Sequence, residues 1–257
     1  MQLRKCVVVC LLLISFGCEA SFEYPTLTVR EQGFGGAITA SGNTGFLSNP
    51  ALLAGDIKNS VSCLQTDLYG LGIPYTQLSL SQQNLAFRMI RWRDGETGAY
   101  VWDGALAMGW QGPSRLKVGM NLRGSRFSYQ EVRGQNIALD LGLAFLLPKE
   151  ISAGFVLENA LGQSNFSTGR REKPQREMSF GFAGEVRNYH WNLDLASGKE
   201  LRLGLERWLT PQLALRAGWN GSLAFGMTVN ISQLSCEYAY TPTPLGGGHQ
   251  LGLTYCW

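Results

Sequence analysis

Hydrophobic and polar residues alternate along most of the chain. From residue 57 to the end, one segment after another carries an apolar residue at every second position. In 137–145, for example, the odd positions are Ile, Leu and Phe, while Ala, Asp and Gly occupy the even ones. Because successive side chains of a strand point to opposite faces, this pattern predicts β-strands with one apolar face and one small or polar face.

The alternating segments predict fourteen strands separated by turn-forming residues. The expected strands are 58–68, 74–81, 84–93, 100–111, 115–126, 132–146, 150–160, 176–187, 189–196, 200–209, 212–220, 222–231, 233–241 and 249–257. Most have about the nine to eleven residues that a tilted strand needs to cross a bilayer, and an even number of strands is typical of single-chain bacterial barrels.

The chain closes on a strand whose edge would be a liability in a soluble protein. One face of this strand is formed by Leu251, Leu253, Tyr255 and Trp257. An apolar edge invites pairing with other chains, whereas closure of a barrel in lipid removes the edge. We therefore predict an all-β protein, a transmembrane antiparallel β-barrel of about fourteen strands. The same four residues resemble the insertion signal of bacterial outer-membrane barrels, which implies the barrel-assembly machinery as a partner.

Connection lengths should alternate if the C-terminus lies on the periplasmic side, because such barrels have short inner turns and longer outer loops. Inner turns are predicted near 82–83, 112–113, 147–149, 188, 210–211 and 232. Outer loops are predicted near 70–73, 94–99, 127–132, 161–175, 197–199, 221 and 242–248. The pair Asn220-Gly221 is an exception, since it favours a two-residue hairpin turn.

The first twenty residues have the three parts of a secretory signal peptide. Residues 1–20 combine a basic start, an apolar run and a small-residue exit, with cleavage expected near Ala20. A lipoprotein signal is the alternative, because Gly17 precedes Cys18, although Ser15 stands where Leu or Val is usual.

The following residues lack the alternation and predict a separate part of the structure. Residues 21–57 are expected to form a short plug segment in or under the barrel, which occupies 58–257. An Asn followed by Pro favours a turn or helix cap before one short helical turn. The candidate plug or gating motif is Asn49, Pro50, Ala51 and Leu52.

Composition and cysteine spacing argue against several classes of site. Charged residues are 16% of the chain, the formal net charge is +3 and no basic run is present, which argues against nucleic acid as a partner. Outside the signal peptide, Cys63, Cys236 and Cys256 show no CxxC or Cys/His spacing, so no metal site, cofactor or disulfide framework is predicted. A bridge from Cys63 to Cys256 remains open, because the first and last strands of a closed barrel are neighbours.

Ten charged residues lie opposite the apolar stripes and are expected to face the lumen. They are Arg88, Lys117, Arg123, Asp140, Glu158, Asp194, Arg202, Glu206, Arg216 and Glu237. They could form a polar path or a docking surface for the plug, or they could pair with one another and fill a narrow barrel. The near balance of signs favours mutual pairing, because a selective ion channel favours one sign. Asp140 and Glu158 could be a carboxylate pair of a glycosidase, but nothing fixes their separation, and we predict no enzyme activity.

Aromatic residues cluster toward the ends of the predicted strands, which favours interfacial belts. The predicted belt residues are Tyr100, Trp102, Trp110, Tyr189, Trp191, Trp208, Trp219, Tyr238, Tyr240, Tyr255 and Trp257. The basic loop 169–176 would suit contact with the phosphates of lipopolysaccharide as well as simple solvation.

The sequence resembles the PorV/PorQ family of outer-membrane proteins, which is similar to the FadL group of transporters of hydrophobic substrates. The resemblance is carried by 49–54, 140–159, 201–220, 237–240 and 249–257. It implies a fourteen-stranded barrel in the bacterial outer membrane with an N-terminal segment tucked inside. It also implies a non-catalytic role, since PorV-like proteins escort folded cargo in secretion and FadL-like proteins admit lipid-like compounds.

Three functions remain open from the sequence. The first is an outer-membrane protein that assists protein secretion or surface assembly, with secretion components as partners. The alternative is a FadL-like transporter of small hydrophobic compounds, although this chain has no long hatch and no extended outer loops. The third is a soluble periplasmic β protein. In the first two, the surroundings are outer-membrane lipid and lipopolysaccharide.

Overall fold

The structure, a computed structural model, describes residues 27–41, 48–55, 58–68, 71–198, 200–243 and 246–257. The predicted signal peptide and the first residues of the predicted plug segment lie outside the described residues. Among those described, no helix has both the length and the apolar character needed to span a bilayer.

The chain forms one antiparallel sheet of fourteen long strands and one two-residue strand. The strands are β1 (Ser60–Leu68), β2 (Ile73–Gln82), β3 (Leu85–Arg93), β4 (Tyr100–Gln111), β5 (Leu116–Tyr129), β6 (Val132–Leu146), β7 (Ser152–Phe166), β8 (Arg171–Glu172), β9 (Glu177–Val186), β10 (Tyr189–Ala196), β11 (Glu200–Trp208), β12 (Leu213–Trp219), β13 (Leu223–Ile231), β14 (Leu234–Thr243) and β15 (Gly246–Cys256). The short β8 pairs only with the outer end of β7, through Ser164 with Glu172 and Asn165 with Arg171.

The sheet closes on itself, which confirms the predicted fourteen-stranded barrel. Each long strand pairs antiparallel with the long strand before and after it. The ring closes where β1 pairs with β15, from Ser60 opposite Cys256 to Thr66 opposite Gln250. Closure gives every long strand two hydrogen-bonded neighbours, so the described sheet presents no long free edge to lipid.

The two faces of the wall differ as the alternation predicts. Outward-facing residues such as Ile137, Leu141 and Leu251 are 64%, 43% and 64% exposed. Their inward-facing neighbours Ala138 and Asp140 are only 1% and 3% exposed. A continuous belt of exposed leucines around a closed cylinder is stable when hydrocarbon surrounds it, which identifies the fold as a transmembrane barrel.

Most of the predicted aromatic belt residues alternate in step with this lipid-facing surface. At the inner end, Tyr255 stacks on Trp257 with 6.1 Å between ring centroids. Trp208 is an exception, because it continues the inward-facing series of Glu206 and lies opposite the inward-facing Ala214. Its predicted place in the belt is therefore wrong.

Three of the predicted outer loops are also wrong, because their strands continue above the apolar belt. At 161–175, β7 runs on to Phe166. At 127–132, β5 runs on to Tyr129 and leaves a two-residue turn. The inward-facing ring of Phe127 packs edge-on against Phe166 at 5.6 Å, which favours the longer strands. At 242–248, the ladder of β14 and β15 continues to the pair Thr243 and Gly246.

The cysteines of the barrel are free, so the Cys63–Cys256 bridge left open by the sequence does not form. Cys63 lies opposite Leu253 and faces outward, whereas Cys256 lies opposite Ser60 and faces the lumen. The register places the two side chains on opposite faces of the wall.

A charged residue on the lipid-facing belt should destabilise the barrel in a depth-dependent way. Replacing Leu122, which is 50% exposed near the middle of β5, by Arg should cost about 2–4 kcal/mol of unfolding free energy. The same change at Ser128, on the same face near the outer end of β5, should cost about 1 kcal/mol or less. Equilibrium unfolding in lipid vesicles, followed by heat-modifiable gel mobility, measures both. Equal costs at the two depths would contradict the placement of the bilayer.

Candidate functional site

The candidate site is the part of the chain that lies inside the barrel, residues 27–41 and 48–55, called here the inner segment. It begins with a one-turn helix, α1 (Val29–Gly33), closed at its start by a capping box. The Thr28 N–H donates to Glu31 Oε2 at 2.6 Å, and the Glu31 N–H donates to Thr28 Oγ1 at 3.4 Å. Each side chain thus satisfies a backbone donor that the helix leaves free, which allows so short a helix to form.

The other end of the inner segment is a 3₁₀ turn, Pro50–Leu53, capped by Asn49. Asn49 Oδ1 accepts the Ala51 N–H at 3.1 Å, while Nδ2 donates to Thr39 O at 2.7 Å and to Leu143 O at 3.1 Å. One buried amide therefore joins the turn, the middle of the inner segment and strand β6. Pro50 fits the first position of the turn, where its missing N–H costs no hydrogen bond.

The inner segment winds around the inside of the wall in the order of the strands. Followed backward from Ala54 to Val29, it contacts β4, β5 and β6 first, then β7 and β9, then β11 to β13, and finally β15. On β10 the contact is made by Asp194, and on β14 by Ala239, which is fully buried beside Val29. The inner segment is thus a coil that lines most of the circumference.

The wall makes room for this coil with glycine, one on each of nine strands. These contact glycines are Gly109, Gly119, Gly142, Gly154, Gly181, Gly204, Gly218, Gly226 and Gly252. A Cβ atom at Gly109 would lie 2.6 Å from Ala54 N, and one at Gly252 would lie 2.7 Å from Val29 Cγ2. Such overlaps are not tolerated in a close-packed interior, so the inner segment lies directly on the wall, with its backbone at Gly109, Gly119 and Gly218 and with the Val29 side chain at Gly252.

Asp194 holds the middle of the inner segment. Its Oδ2 accepts the Ile38 N–H at 2.6 Å, the Thr39 N–H at 2.8 Å and the Thr39 hydroxyl at 2.7 Å. The carboxylate is 2% exposed. Hydrogen bonds to a buried carboxylate are stronger than neutral ones, so this is a main anchor of the coil.

A second anchor joins α1 to the wall through charge. Arg30 Nη2 lies 2.6 Å from Glu206 Oε1, and the other oxygen of Glu206 accepts from Arg216 Nε. Arg216 also donates to Thr228 and lies 3.8 Å from Glu237. The guanidiniums of Arg30 and Arg216 lie 5.8 and 5.9 Å from the centroid of the Phe34 ring. These paired charges fix the position of α1.

Other predicted lumen residues pair within the wall. Arg88 lies 3.3 Å from Asp103, and Arg123 donates to Asp140 at 2.7 and 2.9 Å and to Asn159 Oδ1 at 2.9 Å. The Asn159 N–H donates to Asp140 Oδ1 at 2.8 Å, beside a bulge that shifts the register of β6 and β7.

The remaining three predicted lumen residues lie at the edges of these groups. Glu158 is 3.9 Å from Arg123, Arg202 pairs with Glu200 at 3.0 Å, and the Lys117 ammonium lies beside Gly55. The ten predicted lumen residues therefore fall into separate clusters. Asp194 and Glu206 contact the inner segment directly, while Arg88, Arg123 and Asp140 bind within the wall.

The inner face of β1 to β3 carries an apolar cluster of large side chains, beside the buried polar residues Gln77, Ser79 and Arg88. Leu64 of β1, Tyr75 of β2 and Ile90 of β3 form a buried cluster with Val29 of α1 and Ala239 of β14. Ile73 and Trp92 pack against this cluster. Sequence reasoning missed it, because the first two strands alternate least clearly.

Sequence reasoning also missed Arg30 and Thr39 as binding partners of the wall. The regular placement of glycine at inward-facing positions is the feature that could have revealed a backbone lying against those strands. No group of three or more metal-ligating side chains occurs among the described residues.

Solved structures share this fold at low sequence identity. A Pseudomonas aeruginosa FadL homologue gives a TM-score of 0.64 at 11% identity, with 92% of this chain and 100% of that chain covered. The monoaromatic hydrocarbon channel CymD gives 0.58 at 14% identity, with 88% and 96% covered. The Pseudomonas putida toluene transporter TodX gives 0.59 at 11% identity, with 91% and 98% covered.

These likenesses establish a FadL-type barrel fold, whereas the resemblance to PorV/PorQ in particular stays a prediction. No family model matches the chain, and no curated protein matches its sequence.

A methyl group at a contact glycine should displace the inner segment without opening the barrel. Gly119→Ala places a Cβ within overlap of Pro50 and Ala51, so the amides of the 3₁₀ turn should lose most of their hydrogen-exchange protection. Gly124→Ala is the matched control, because the nearest atom to its Cβ would be Asn136 O at 4.0 Å on the same strand pair. Equal protection in the two variants would contradict the contact.

Docking of α1 should weaken as pH rises. Burial raises the pKa of the Glu31 carboxyl from its ordinary value of 4.5 to about 7. The hydrogen bonds from Thr28 and the positive charge of Arg88 lower this pKa by less than burial raises it, and the negative charge of Glu237 adds to the increase. A raised pKa stabilises the docked, protonated form fully below about pH 4.5, and this contribution is lost as the pH rises through about 7.

Glu31→Gln should abolish this pH dependence, because the amide keeps an acceptor for the Thr28 N–H and does not titrate. Hydrogen-exchange protection of amides 29–36, corrected for the intrinsic rates at pH 5 and pH 8, measures the effect. Equal protection of these amides at pH 5 and pH 8 in the wild-type protein would rule out the pH-dependent docking of α1.

Proposed function

We propose that this chain is an outer-membrane channel for small hydrophobic compounds, with the inner segment as its gate. The observation that carries the proposal is a buried apolar cluster on the inner face of β1 to β3, called here the apolar arc, in which Val29 is the residue of the inner segment. The contact glycines under the inner segment lie on β4 to β15, whereas Leu64, Tyr75 and Ile90 of β1 to β3 are buried around the Val29 side chain. Apolar side chains beside polar groups, which Gln77 and Ser79 supply on the same face, are typical of sites that take hydrophobic ligands.

The fold and the outer surface support the proposed location. The lipid-facing belt and the closed ladder suit a bacterial outer membrane, and the three solved structures of the same fold are described as a FadL homologue, a hydrocarbon channel and a toluene transporter. These descriptions favour passage of hydrophobic compounds over the secretion role that the PorV/PorQ resemblance implies.

The gating step follows from the anchors of the inner segment. Val29 covers the apolar arc, and α1 is held by the ion pair of Arg30 with Glu206 and by the hydrogen bonds of Asp194 to Ile38 and Thr39. A compound that enters the arc must displace Val29, and this requires α1 to move against these anchors. The charged anchors therefore set the energy of opening.

Weakening one anchor should raise the rate of passage. Asp194→Asn keeps the size of the side chain but removes the charge from three hydrogen bonds, which should weaken docking by about 2 kcal/mol. Intact bacteria that express this variant should take up labelled toluene faster than bacteria with the wild-type chain. Glu200→Gln is the control, because it removes an exposed carboxylate at the rim that does not contact the inner segment.

The second part of the experiment makes the apolar arc more polar. Leu64→Gln should slow toluene uptake, because it places an amide in the apolar cluster, and it should leave entry of a disaccharide unchanged. If bacteria with the wild-type chain and with Asp194→Asn take up toluene no faster than bacteria without the chain, the proposed function is wrong. Fractionation and heat-modifiable mobility show in parallel whether each variant reached the outer membrane as a folded barrel.

A further inference from the structure

The outer end of one half of the barrel carries a group of arginines that face away from the lumen. They are Arg93 of β3, Arg126 of β5, Arg133 of β6 and Arg171 of β8, called here the arginine band. We infer that the arginine band binds the phosphate groups of lipopolysaccharide in the outer leaflet. The inference rests on the proposed outer-membrane location, but it does not depend on what passes through the lumen.

The strand register brings these arginines together. Arg126 pairs with Gln135 of β6, Gln135 with Asn165 of β7, and Asn165 with Arg171. Directly opposite residues on neighbouring strands point to the same face, so Arg126 and Arg171 share one row on the outside of the wall. Their face is the lipid-facing one, because Ile137, two residues below Gln135, is 64% exposed.

A second row lies just above the first. Arg93 pairs with Tyr100 of β4, Tyr100 with Ser128 of β5, and Ser128 with Arg133. The sequence could suggest only the basic loop at 169–176, whereas the register adds Arg93, Arg126 and Arg133 from strands that are far away along the chain.

The arginine band has the chemistry of a phosphate site. Its four arginines are exposed, and none of them forms an ion pair within the part of the chain that the structure describes. Neighbouring charges are already engaged, because Arg170 pairs with Glu172 and Arg91 lies 5.1 Å from the centroid of the Trp102 ring. Guanidinium groups bind phosphate through two parallel hydrogen bonds, which suits clustered phosphates on one headgroup.

A surface cavity and the apolar belt complete the surface. An open cavity of about 380 Å³ lies at the end of the arginine band, lined by Gln163, Asn165, Phe166, Gly169, Arg170 and Arg171. Below it, Leu161 is 65% exposed on the lipid-facing side of β7. A bound molecule would thus meet polar and basic groups above and hydrocarbon-facing leucines below, which is the profile of a phosphorylated lipid with several acyl chains.

On the other half of the barrel, the described strands lack this charge at the same level. The outward-facing residues near the outer ends of β10, β12, β13 and β14 are Leu195, Trp219, Leu223 and Tyr240. Outward-facing basic groups are therefore concentrated on β3 to β8. Nonspecific attraction to an anionic leaflet would not require them to cluster on one side of the barrel, so the clustering favours a specific site.

The test removes the arginine band and asks whether lipopolysaccharide is still retained. The chain with Arg126→Gln, Arg133→Gln and Arg171→Gln is purified in detergent and mixed with lipopolysaccharide, with its dephosphorylated form, or with phosphatidylglycerol vesicles. We expect the wild-type chain to retain lipopolysaccharide and the triple variant to retain about tenfold less or lower still. The control removes the same charge from the inner rim with Arg115→Gln, Arg187→Gln and Arg207→Gln, and should retain as much as the wild type.

Each outcome decides the inference. The inference is wrong if the inner-rim control loses as much lipopolysaccharide retention as the triple variant. It is also wrong if the wild-type chain binds dephosphorylated lipopolysaccharide or phosphatidylglycerol as strongly as lipopolysaccharide. If the triple variant does not fold, Arg133→Gln alone must still lower retention. Failure of toluene uptake together with normal retention of lipopolysaccharide would refute the channel and leave this site standing, whereas absence of the chain from the outer membrane would refute both.

Discussion

The structure depends on one constraint: within hydrocarbon, every backbone N–H and C=O group must find its partner in the protein. The ring of fourteen strands meets this demand through the pairing of β1 with β15. Closure then places alternate side chains in different environments, because each strand has one face toward lipid and one toward the lumen. Leu141 and Asp140 are adjacent in sequence and lie in opposite environments for this reason.

The lumen is filled by fitting one backbone against another. Where the backbone of the inner segment lies on the wall, the wall carries glycine or alanine, and around the Val29 side chain it carries Leu64, Tyr75 and Ile90. Large and small residues on the inner face are thus arranged as in any close-packed protein core. The path of the inner segment therefore follows the small residues on the inner face of the wall.

The sequence predicted the barrel well and its contents less well. Period-two alternation is a local property, so the strand of 137–145 could be identified without knowledge of its neighbours, and the number of strands followed. The partners of Asp194 could not be found in this way, because Ile38 and Thr39 are more than 150 residues away along the chain and their backbone N–H groups leave no trace in residue type. Trp208 was assigned to the wrong face because an aromatic residue suits both an interface and a packed lumen. The cysteine bridge failed on a register that only the paired strands define.

The course of the inner segment also constrains the order of assembly. Val29 lies against Gly252 of β15, and Ala54 lies against Gly109 of β4, so the coil spans almost the full ring of strands. The contact glycines, Asp194 and Ala239 lie on eleven long strands, and the last of these strands completes the cylinder. The inner segment is synthesised before all of these strands and yet has its full set of contacts only after they have joined. Long-range contacts of this kind form late in folding, because the intervening chain must be ordered first. Full occupation of the lumen is therefore a marker of a finished barrel.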